Sequence, residues 1–299
     1  MSGRAWVELI LLSVLWGGSF FSIAIAQREI GPITVVLHRV LWAALLLWAL
    51  AFWRGLTIPR AVGPWLVFLI MGLLNNVLPF TLMSWGQTKI ETGLVSVFNA
   101  TAAIFGVMVA AAFLRDEPLT LSRFGGVILG VTGVAVISGI EALFSFDPRS
   151  LGQLAVLGGA VSYAFASVWG KLWLRGYDPV VAAAGMLTGS CLIMLPLSIA
   201  TEGVPSLDLS AETWGAIGYF AFLATAGAYL LYYRILAIAG AGNLMLCTLL
   251  IPSVAITLGA VYLGEILDPK AYAGFGLIAL GLIVIDGRLL RRKRPSMRL

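Results

Sequence analysis

Ten apolar stretches follow one another along the chain, and each is close to 20 residues long or longer. A helix that crosses the hydrocarbon core of a bilayer needs roughly 20 apolar residues. The stretches are continuous rather than alternating, which favours helices over the strands of a membrane barrel. They cover 5–27, 32–53, 62–85, 91–114, 119–139, 151–172, 180–200, 212–236, 241–263 and 269–287. The pattern predicts an all-α polytopic membrane protein with ten transmembrane helices.

The composition agrees with this fold class and excludes an ordinary soluble domain. Of the 299 residues, 60% are hydrophobic and only 11% are charged, whereas about 25% of the residues in soluble domains are charged. The mean hydropathy is +0.99. The apolar stretches occupy nearly the whole chain, so no separate soluble domain is expected.

The sequence also repeats itself at a shift of 147 or 148 residues. Corresponding residues at the first shift are Val14, Trp16 and Pro32 with Val161, Tyr163 and Pro179, and at the second shift Glu117, Leu119, Gly126 and Gly133 with Glu265, Leu267, Gly274 and Gly281. Each copy holds five stretches, and because five is odd the second copy must enter a bilayer from the opposite side. Two such copies are typical of inverted-repeat transporters with a central cavity. We place the repeats at 1–147 and 148–287, followed by a basic tail at 288–299.

Basic residues indicate how the chain is oriented in the membrane. Cytoplasmic segments of membrane proteins carry an excess of Lys and Arg. With the N-terminus inside, the cytoplasmic set is Arg4, Arg54, Arg60, Arg115, Arg123, Lys171, Arg175, Arg234 and the basic tail, and the outer set is Arg28, Lys89, Arg149 and Lys270. We therefore expect both termini in the cytoplasm. The net charge of +5 then reflects contacts with anionic lipid headgroups, and no nucleic acid is expected as a partner.

Polar and aromatic residues near the middle of several stretches predict a substrate cavity. In inverted-repeat transporters the substrate lies near the midplane, where the repeats meet. Amide and phenol groups in hydrocarbon are costly unless they are paired or face a cavity. A cavity surrounded by such groups and by apolar side chains suits a zwitterionic or amphipathic small molecule. The alternative is hydrogen bonding between helices alone. The predicted substrate-binding residues are Trp16, Asn76, Met83, Asn99, Tyr163, Tyr229 and Tyr233.

Glycine and proline residues predict where these helices bend. Gly17 and Gly18 weaken the first helix locally, although they serve equally well for close helix packing. Pro79 cannot donate to the carbonyl at position 75, which predicts a kink with a free acceptor there. Pro252 is expected to bend the ninth helix. These four residues are the predicted gates.

Ionisable residues are scarce within the stretches. His38 and Arg39 lie in the second stretch, and we assign them a structural or coupling role: Arg39 as a link between helices, His38 as a packing residue or a proton relay. No Asp or Glu lies at mid-depth, which favours downhill movement without a carboxylate relay. No HExxH, GxSxG or GxxxxGK[ST] motif occurs, so we predict no catalytic residue, metal ligand or cofactor.

Several segments resemble the EamA family of the drug/metabolite transporter (DMT) superfamily. They are 91–94, 114–120 and 125–133, their counterpart 242–281, and 39–44 in the second helix. The Trp16–Phe20 segment most resembles the YddG-type aromatic amino acid exporters. The resemblance implies a cavity lined by helices 1, 3, 4, 6, 8 and 9, and export of aromatic and other mostly neutral amino acids. The chain departs from the family at Ile104, where first repeats often carry the proline that Pro252 keeps in the second.

The sequence therefore predicts a monomeric exporter in a bacterial inner membrane, working by alternating access on amino acids and in contact with membrane lipids. One alternative is a relative that exports drugs, purines or other metabolites. An alternative of another class is a non-transporting membrane enzyme or scaffold, which should show acids or histidines clustered at one interface.

Overall fold

The computed structural model describes residues 3–115, 119–138, 148–239 and 247–286, and all regular structure within these ranges is helical. In the first half, α1 is Gly3–Ala26, α2 is Pro32–Trp53, α3 joins Val62–Gly72, a π-helical segment Leu73–Val77 and Leu78–Gln87, α4 joins Thr92–Ala100 and Ala102–Phe113, and α5 is Leu121–Ser138. In the second half, α6 is Pro148–Trp173, α7 is Pro179–Glu202, α8 joins Ala211–Gly218, a π-helical segment Tyr219–Gly227 and Ala228–Ala239, α9 is Cys247–Leu263 and α10 is Pro269–Asp286. The predicted junction around 147 and the basic tail at 288–299 lie outside the described residues.

Each helix coincides with one apolar stretch of the sequence. Within the described ranges, eight helices are long and apolar enough to cross a membrane, and the apolar helices Cys247–Leu263 and Pro269–Ile285 are shorter. Proline is the first residue of α2, α6, α7 and α10, where its missing N–H costs no hydrogen bond. Asp178 caps α7 by accepting from Val180 N at 2.8 Å. The protein is a multi-pass helical membrane protein.

Contacts between helix ends define two faces of the bundle. We call the face with residues 3–8, 54–61 and 174–178 the N-terminal face, and the face with 27–31, 88–91, 203–210 and 264–268 the distal face. Arg28 pairs with Glu212 at 3.2 Å and Arg149 with Glu91 at 3.0 Å, both at the distal face. The helix α1 thus begins at the N-terminal face, whereas α6 begins beside Glu91 at the distal face.

Glycines bring the backbones of α5 and α10 into contact. A Cβ on Gly133 would lie 2.7 Å from the Gly274 carbonyl, and one on Gly126 would lie 2.5 Å from the Gly281 carbonyl. The duplication relates Gly126 to Gly274 and Gly133 to Gly281. Each contact is therefore the counterpart of the other in the duplication. Small residues permit this approach.

π-helical segments interrupt α3 and α8 at corresponding positions of the two halves. Such segments occur frequently at functional sites. Within α3 the register changes, because Leu78 N donates to the Leu73 carbonyl, five residues back. Pro79 therefore leaves the carbonyl of Leu74 without its helical donor, and Ser162 of α6 donates to that carbonyl at 2.7 Å. The predicted free acceptor thus lies at position 74 rather than 75, because the π-helical register shifts it by one residue.

The fourth helix is interrupted although it lacks the proline that α9 carries. Its two parts meet at Thr101, whose hydroxyl donates to the Phe98 carbonyl at 2.6 Å. Ile104, which occupies the position of Pro252 in the duplication, is buried. A side-chain hydroxyl that bonds to a nearby backbone carbonyl competes with the helical hydrogen bonds of the backbone. The Thr101 hydroxyl makes such a bond at the point where α4 is interrupted.

Candidate functional site

A cavity of about 330 Å³ lies between the two halves. Its lining residues come from α1, α3, α4, α6, α8 and α9, as the family resemblance implies, and also from α2 and α7. The lining extends from Gln87 and Ile23 near the distal face to Met71 and Leu174 toward the N-terminal face. Most lining groups are apolar or aromatic, and the polar ones are amides, hydroxyls and a single guanidinium.

Five of the seven predicted substrate-binding residues line this cavity: Trp16, Met83, Asn99, Tyr163 and Tyr229. Aromatic rings flank the space, because the rings of Trp16 and Tyr232 are 6.0 Å apart and those of Tyr163 and Phe80 are 6.4 Å apart. Asn99 lines the cavity from α4, and its Oδ1 is buried without a hydrogen-bond partner among the described residues. The side chain of Tyr233 lies outside the described part of the structure.

Asn76, the remaining predicted residue, lies behind the cavity wall. It is fully buried, and its Nδ2 donates to Ser190 Oγ of α7 at 3.0 Å. Asn75 lines the cavity instead and donates from Nδ2 to Tyr229 Oη at 3.2 Å. Tyr229 contacts both asparagines, because its hydroxyl also donates to Asn76 Oδ1 at 3.5 Å. Of the two, Asn75 is the one that lines the cavity, and it was not among the predicted substrate-binding residues.

Arg39 enters the cavity from α2. Its Nε donates to Thr225 Oγ1 at 2.9 Å, and the Thr225 hydroxyl donates to the Phe220 carbonyl at 2.7 Å within the π-helical segment of α8. The guanidinium carbon lies 4.0 Å from the centre of the Phe80 ring. Arg39 therefore joins α2 to α3 and α8, as the sequence predicted for a link between helices, and it also lines the cavity.

His38 lies on the other side of α2 and does not line the cavity. Its Nδ1 accepts from Trp42 Nε1 at 3.1 Å, and its ring packs edge-on against Trp214 at 5.8 Å. Within the described residues, its Nε2 is buried without a partner. The imidazole is thus held by tryptophans rather than by an acid, and the contacts indicate a packing role in this conformation.

The predicted gates occupy packed positions. The helix α1 continues unbroken through Gly17 and Gly18, and a Cβ on Gly17 would lie 2.6 Å from Val254 of α9. Pro79 follows the π-helical segment of α3, and Pro252 is buried inside α9. In this conformation the glycines permit close packing of α1 against α9. The interruption of α3 lies in the π-helical segment, just before Pro79.

Two glutamines close the distal end of the cavity. Gln87 donates from Nε2 to the Phe20 carbonyl at 2.6 Å and to Thr92 Oγ1 at 3.2 Å. Gln27 donates from Nε2 to the Ser84 carbonyl at 2.6 Å. These bonds join α1, α3 and α4 above the aromatic residues. Neither glutamine was predicted from the sequence, because glutamines at helix ends are ordinary surface residues.

Two carboxylates connect the halves at the same face. Glu202, at the end of α7, accepts from two backbone N–H groups at the start of α2 at 3.0 and 2.8 Å. Glu265, after α9, accepts from two N–H groups at the start of α4 at 2.8 and 3.2 Å. Helix N-termini stabilise negative charge.

A third carboxylate at the distal face, the exposed Glu29, is bound by Ser210. Hydrogen bonds from the side chain and backbone of Ser210 lower the pKa of the Glu29 carboxyl.

The arrangement suits noncovalent binding rather than catalysis. Among the described residues, the lining holds no acid, cysteine or histidine, and no group of three or more His, Cys, Asp or Glu side chains could hold a metal ion. Its aromatic faces can stack on a ligand, and its amides and phenols can form hydrogen bonds.

Known proteins similar to this chain include transporters. A relative from Streptantibioticus cattleyicolor, named a probable terminal-alkyne amino-acid exporter, is 27% identical and covers 99% of this chain and 97% of its own length. The uncharacterized inner membrane transporter YedA of Escherichia coli (strain K12) is 25% identical and covers 96% of this chain and 92% of its own length. A solved crystal structure has a TM-score of 0.69 at 20% identity and covers 99% of this chain and 100% of that chain, so the fold is shared.

Sequence similarity to a family profile extends over both halves. The EamA-like transporter family matches residues 4–139 and, separately, residues 150–286. This family consists of transporters of the drug/metabolite transporter superfamily and not of enzymes. Together with the helical bundle and its central cavity, the match shows that this chain belongs to the EamA-like transporter family.

Proposed function

We propose that this protein exports aromatic and other mostly neutral amino acids from the cytoplasm by alternating access. The transporter would have ten transmembrane helices, arranged as two inverted five-helix repeats whose two-fold axis passes between α5 and α10. The exchanged glycine contacts of Gly126 with Gly281 and of Gly133 with Gly274 support this symmetry. The two halves would rock about the cavity and expose it to each side of the membrane in turn.

The cavity itself is the observation that carries this proposal. Its volume of about 330 Å³ lies at the lower end of the range of roughly 300–1,000 Å³ typical of small-molecule sites. Trp16, Tyr163 and Tyr232 would stack on the substrate side chain, and Asn75 and Asn99 would bind its polar end. Nδ2 of Asn75 already has partners, which leaves its Oδ1 to accept from the substrate ammonium. The named amino-acid exporter among the relatives supports the same substrate class.

We place both termini in the cytoplasm of a bacterial inner membrane, as the distribution of basic residues favours. The distal face would then face the periplasm. In the present conformation, the glutamines and the two carboxylates connect helices at that face, whereas the cavity lining extends to Leu174 toward the N-terminal face. We therefore assign this conformation to the state that receives substrate from the cytoplasm.

The change to the state open to the periplasm would break the hydrogen bonds of Glu202 to α2 and of Glu265 to α4. The interrupted helices α3, α4 and α8 would serve as its hinges. Pro79 and Pro252 lie in or beside these bends and would act as gates. The cavity lining contains no carboxylate, so we propose that transport is downhill and needs no proton relay within the membrane.

Proteoliposomes that contain the purified protein provide the test. Counterflow of labelled tryptophan should be lost in Trp16→Ala and strongly reduced in Asn75→Ala, while both variants keep the elution profile and melting temperature of the parent. Trp6→Ala is the matched control, because Trp6 is 44% exposed on the same helix and should leave flux unchanged. A pH gradient should not alter the final accumulation of substrate.

Normal flux in both cavity variants would refute the assigned site. Transport of purines or hydrophobic drugs in the absence of amino acid transport would refute the substrate class and support the alternative exporter. Accumulation driven by a pH gradient would refute downhill movement.

A further inference from the structure

We propose that Arg39 binds the carboxylate of the substrate and restricts transport to compounds with a free carboxyl group. This inference rests on the proposed function and defines the substrate class of the same cavity. Among the described residues that line the cavity, Arg39 is the one with a formal charge. A guanidinium remains protonated in proteins, so the cavity offers a substrate a single fixed positive charge.

The contacts of Arg39 leave its outer edge free. A guanidinium has five N–H donors, and in the described structure only Nε has a hydrogen-bond acceptor, the Thr225 hydroxyl at 2.9 Å. The Thr225 proton is directed to the Phe220 carbonyl at 2.7 Å, so the oxygen of Thr225 is fixed as an acceptor. The Phe80 ring covers one face of the guanidinium at 4.0 Å. These contacts fix the plane of the group, and the Nη1 and Nη2 donors remain for a ligand.

Among the described residues, the charge of Arg39 also has no acidic partner. The ion pairs among the described residues involve Arg4, Arg28, Arg149 and Arg234, all near the ends of helices. Arg39 is 8% exposed, and a charge in the membrane interior is costly without a counter-charge. A bound anion would supply that counter-charge, and its two oxygens would match the paired Nη donors.

The neighbouring groups favour a carboxylate over a phosphate. A single cation balances the single negative charge of a carboxylate, whereas a phosphorylated substrate carries a larger charge that would require more cations. Asn75 and Tyr229 line the same cavity and provide uncharged polar atoms for an ammonium group. The aromatic residues provide surfaces for an aromatic side chain. The combination therefore matches an aromatic amino acid bound through its carboxylate to Arg39.

Four indole ligands that differ only in their polar groups test this assignment. Tryptophan has both charged groups, indole-3-propionate has the carboxylate alone, and tryptamine has the ammonium alone; tryptophan amide keeps the ammonium but has a neutral carbonyl. Binding is measured with purified protein by displacement of labelled tryptophan and by the shift of melting temperature. We expect tryptamine and tryptophan amide to bind on the order of 100-fold more weakly than tryptophan, as the loss of a charge-assisted bidentate pair predicts.

Variants of Arg39 separate its charge from its geometry. In Arg39→Met the preference for tryptophan over tryptamine should disappear, and in Arg39→Lys it should be intermediate because lysine keeps the charge but not the planar pair of donors. Arg54→Met is the matched control, since Arg54 is exposed in the connection after α2, and it should keep the full preference. If Arg39→Met does not fold, the ligand series on the parent protein and on Arg39→Lys still decides the question.

Equal binding of tryptamine and tryptophan to the parent protein would overturn the assignment, as would an unchanged preference in Arg39→Met. Failure of the proposed function gives a different result. In that case tryptophan is not transported in proteoliposomes, while the comparison of indole-3-propionate with tryptamine still reports by melting temperature whether Arg39 binds a carboxylate.

Discussion

Removing the charge of Glu265 should open the distal face of the cavity. Its two carboxylate oxygens accept from the backbone N–H groups of Thr92 and Gly93 at 2.8 and 3.2 Å. Glu265 follows α9 in the second half, and α4 belongs to the first, so these bonds hold the halves together at that face. In Glu265→Gln the amide keeps one acceptor oxygen but loses the charge and the second bond.

The size of the effect follows from these contacts. A hydrogen bond to a charged group contributes roughly 1.5–3 kcal/mol, and a negative charge beside a helix N-terminus contributes about 0.3–1 kcal/mol. We expect Glu265→Gln to destabilise the distal-closed conformation by about 2 kcal/mol, which is about 30-fold in the equilibrium between conformations. The effect should be specific to this conformation, because the bonds break when the face opens.

Thiol accessibility measures this equilibrium. Ile23 lines the cavity near the distal face and is buried, so Ile23→Cys provides a reporter in a background without Cys191 and Cys247. A membrane-impermeant thiol reagent is added to the outside of spheroplasts, the side to which the proposed orientation assigns the distal face. Its rate of reaction should rise on the order of 10-fold or more in Glu265→Gln, because the rate follows the population of the open state.

The matched control is Glu212→Gln. Glu212 also pairs across the halves at the distal face, with Arg28 at 3.2 Å, but both side chains are more than half exposed. An exposed pair contributes about 0–1 kcal/mol, so the reporter should react at nearly the parent rate. If Ile23→Cys reacts no faster in Glu265→Gln than in Glu212→Gln, these carboxylate bonds do not hold the distal face closed.

Three further comparisons test the packing between the helices by thermal unfolding in detergent. Gly133→Ala should lower the free energy of unfolding by about 1–3 kcal/mol, because its Cβ would meet a backbone carbonyl of α10. Its control Gly63→Ala has open space around it and should raise the free energy of unfolding by about 0.5–1 kcal/mol; equal effects would contradict the close approach of α5 and α10. Ser162→Ala should cost about 1–3 kcal/mol because it leaves the freed carbonyl in α3 without a donor, and an unchanged melting temperature would contradict that role. Asn76→Ala should be less stable than Asn75→Ala because Asn76 is fully buried and bonded to α7; the reverse order would contradict the assignment of Asn76 to the wall.

The sequence by itself determined the helical membrane fold and nearly all the helix boundaries. The predicted stretch 32–53 coincides with Pro32–Trp53, and 180–200 lies within Pro179–Glu202. This success has a simple reason, because in lipid each segment must satisfy its own backbone hydrogen bonds, so a continuous apolar run of this length forms a helix. The duplication also predicts that the two halves run in opposite directions, because each copy holds an odd number of segments, and this stays a prediction.

The tertiary structure decided which side chains face the cavity. The sequence predicted Asn76 as a cavity residue, but it is the neighbouring Asn75, in the π-helical segment of α3, that lines the cavity. Arg39 was predicted as a link between helices, and only the positions of Phe80 and Thr225 on other helices leave its outer donors open to the cavity. The bonds of Glu265 to the start of α4 depend in the same way on distant parts of the chain. Local hydrophobicity determines a helix and its length, whereas the rotation of a helix and its partners depend on packing between segments far apart in the sequence, which no local pattern contains.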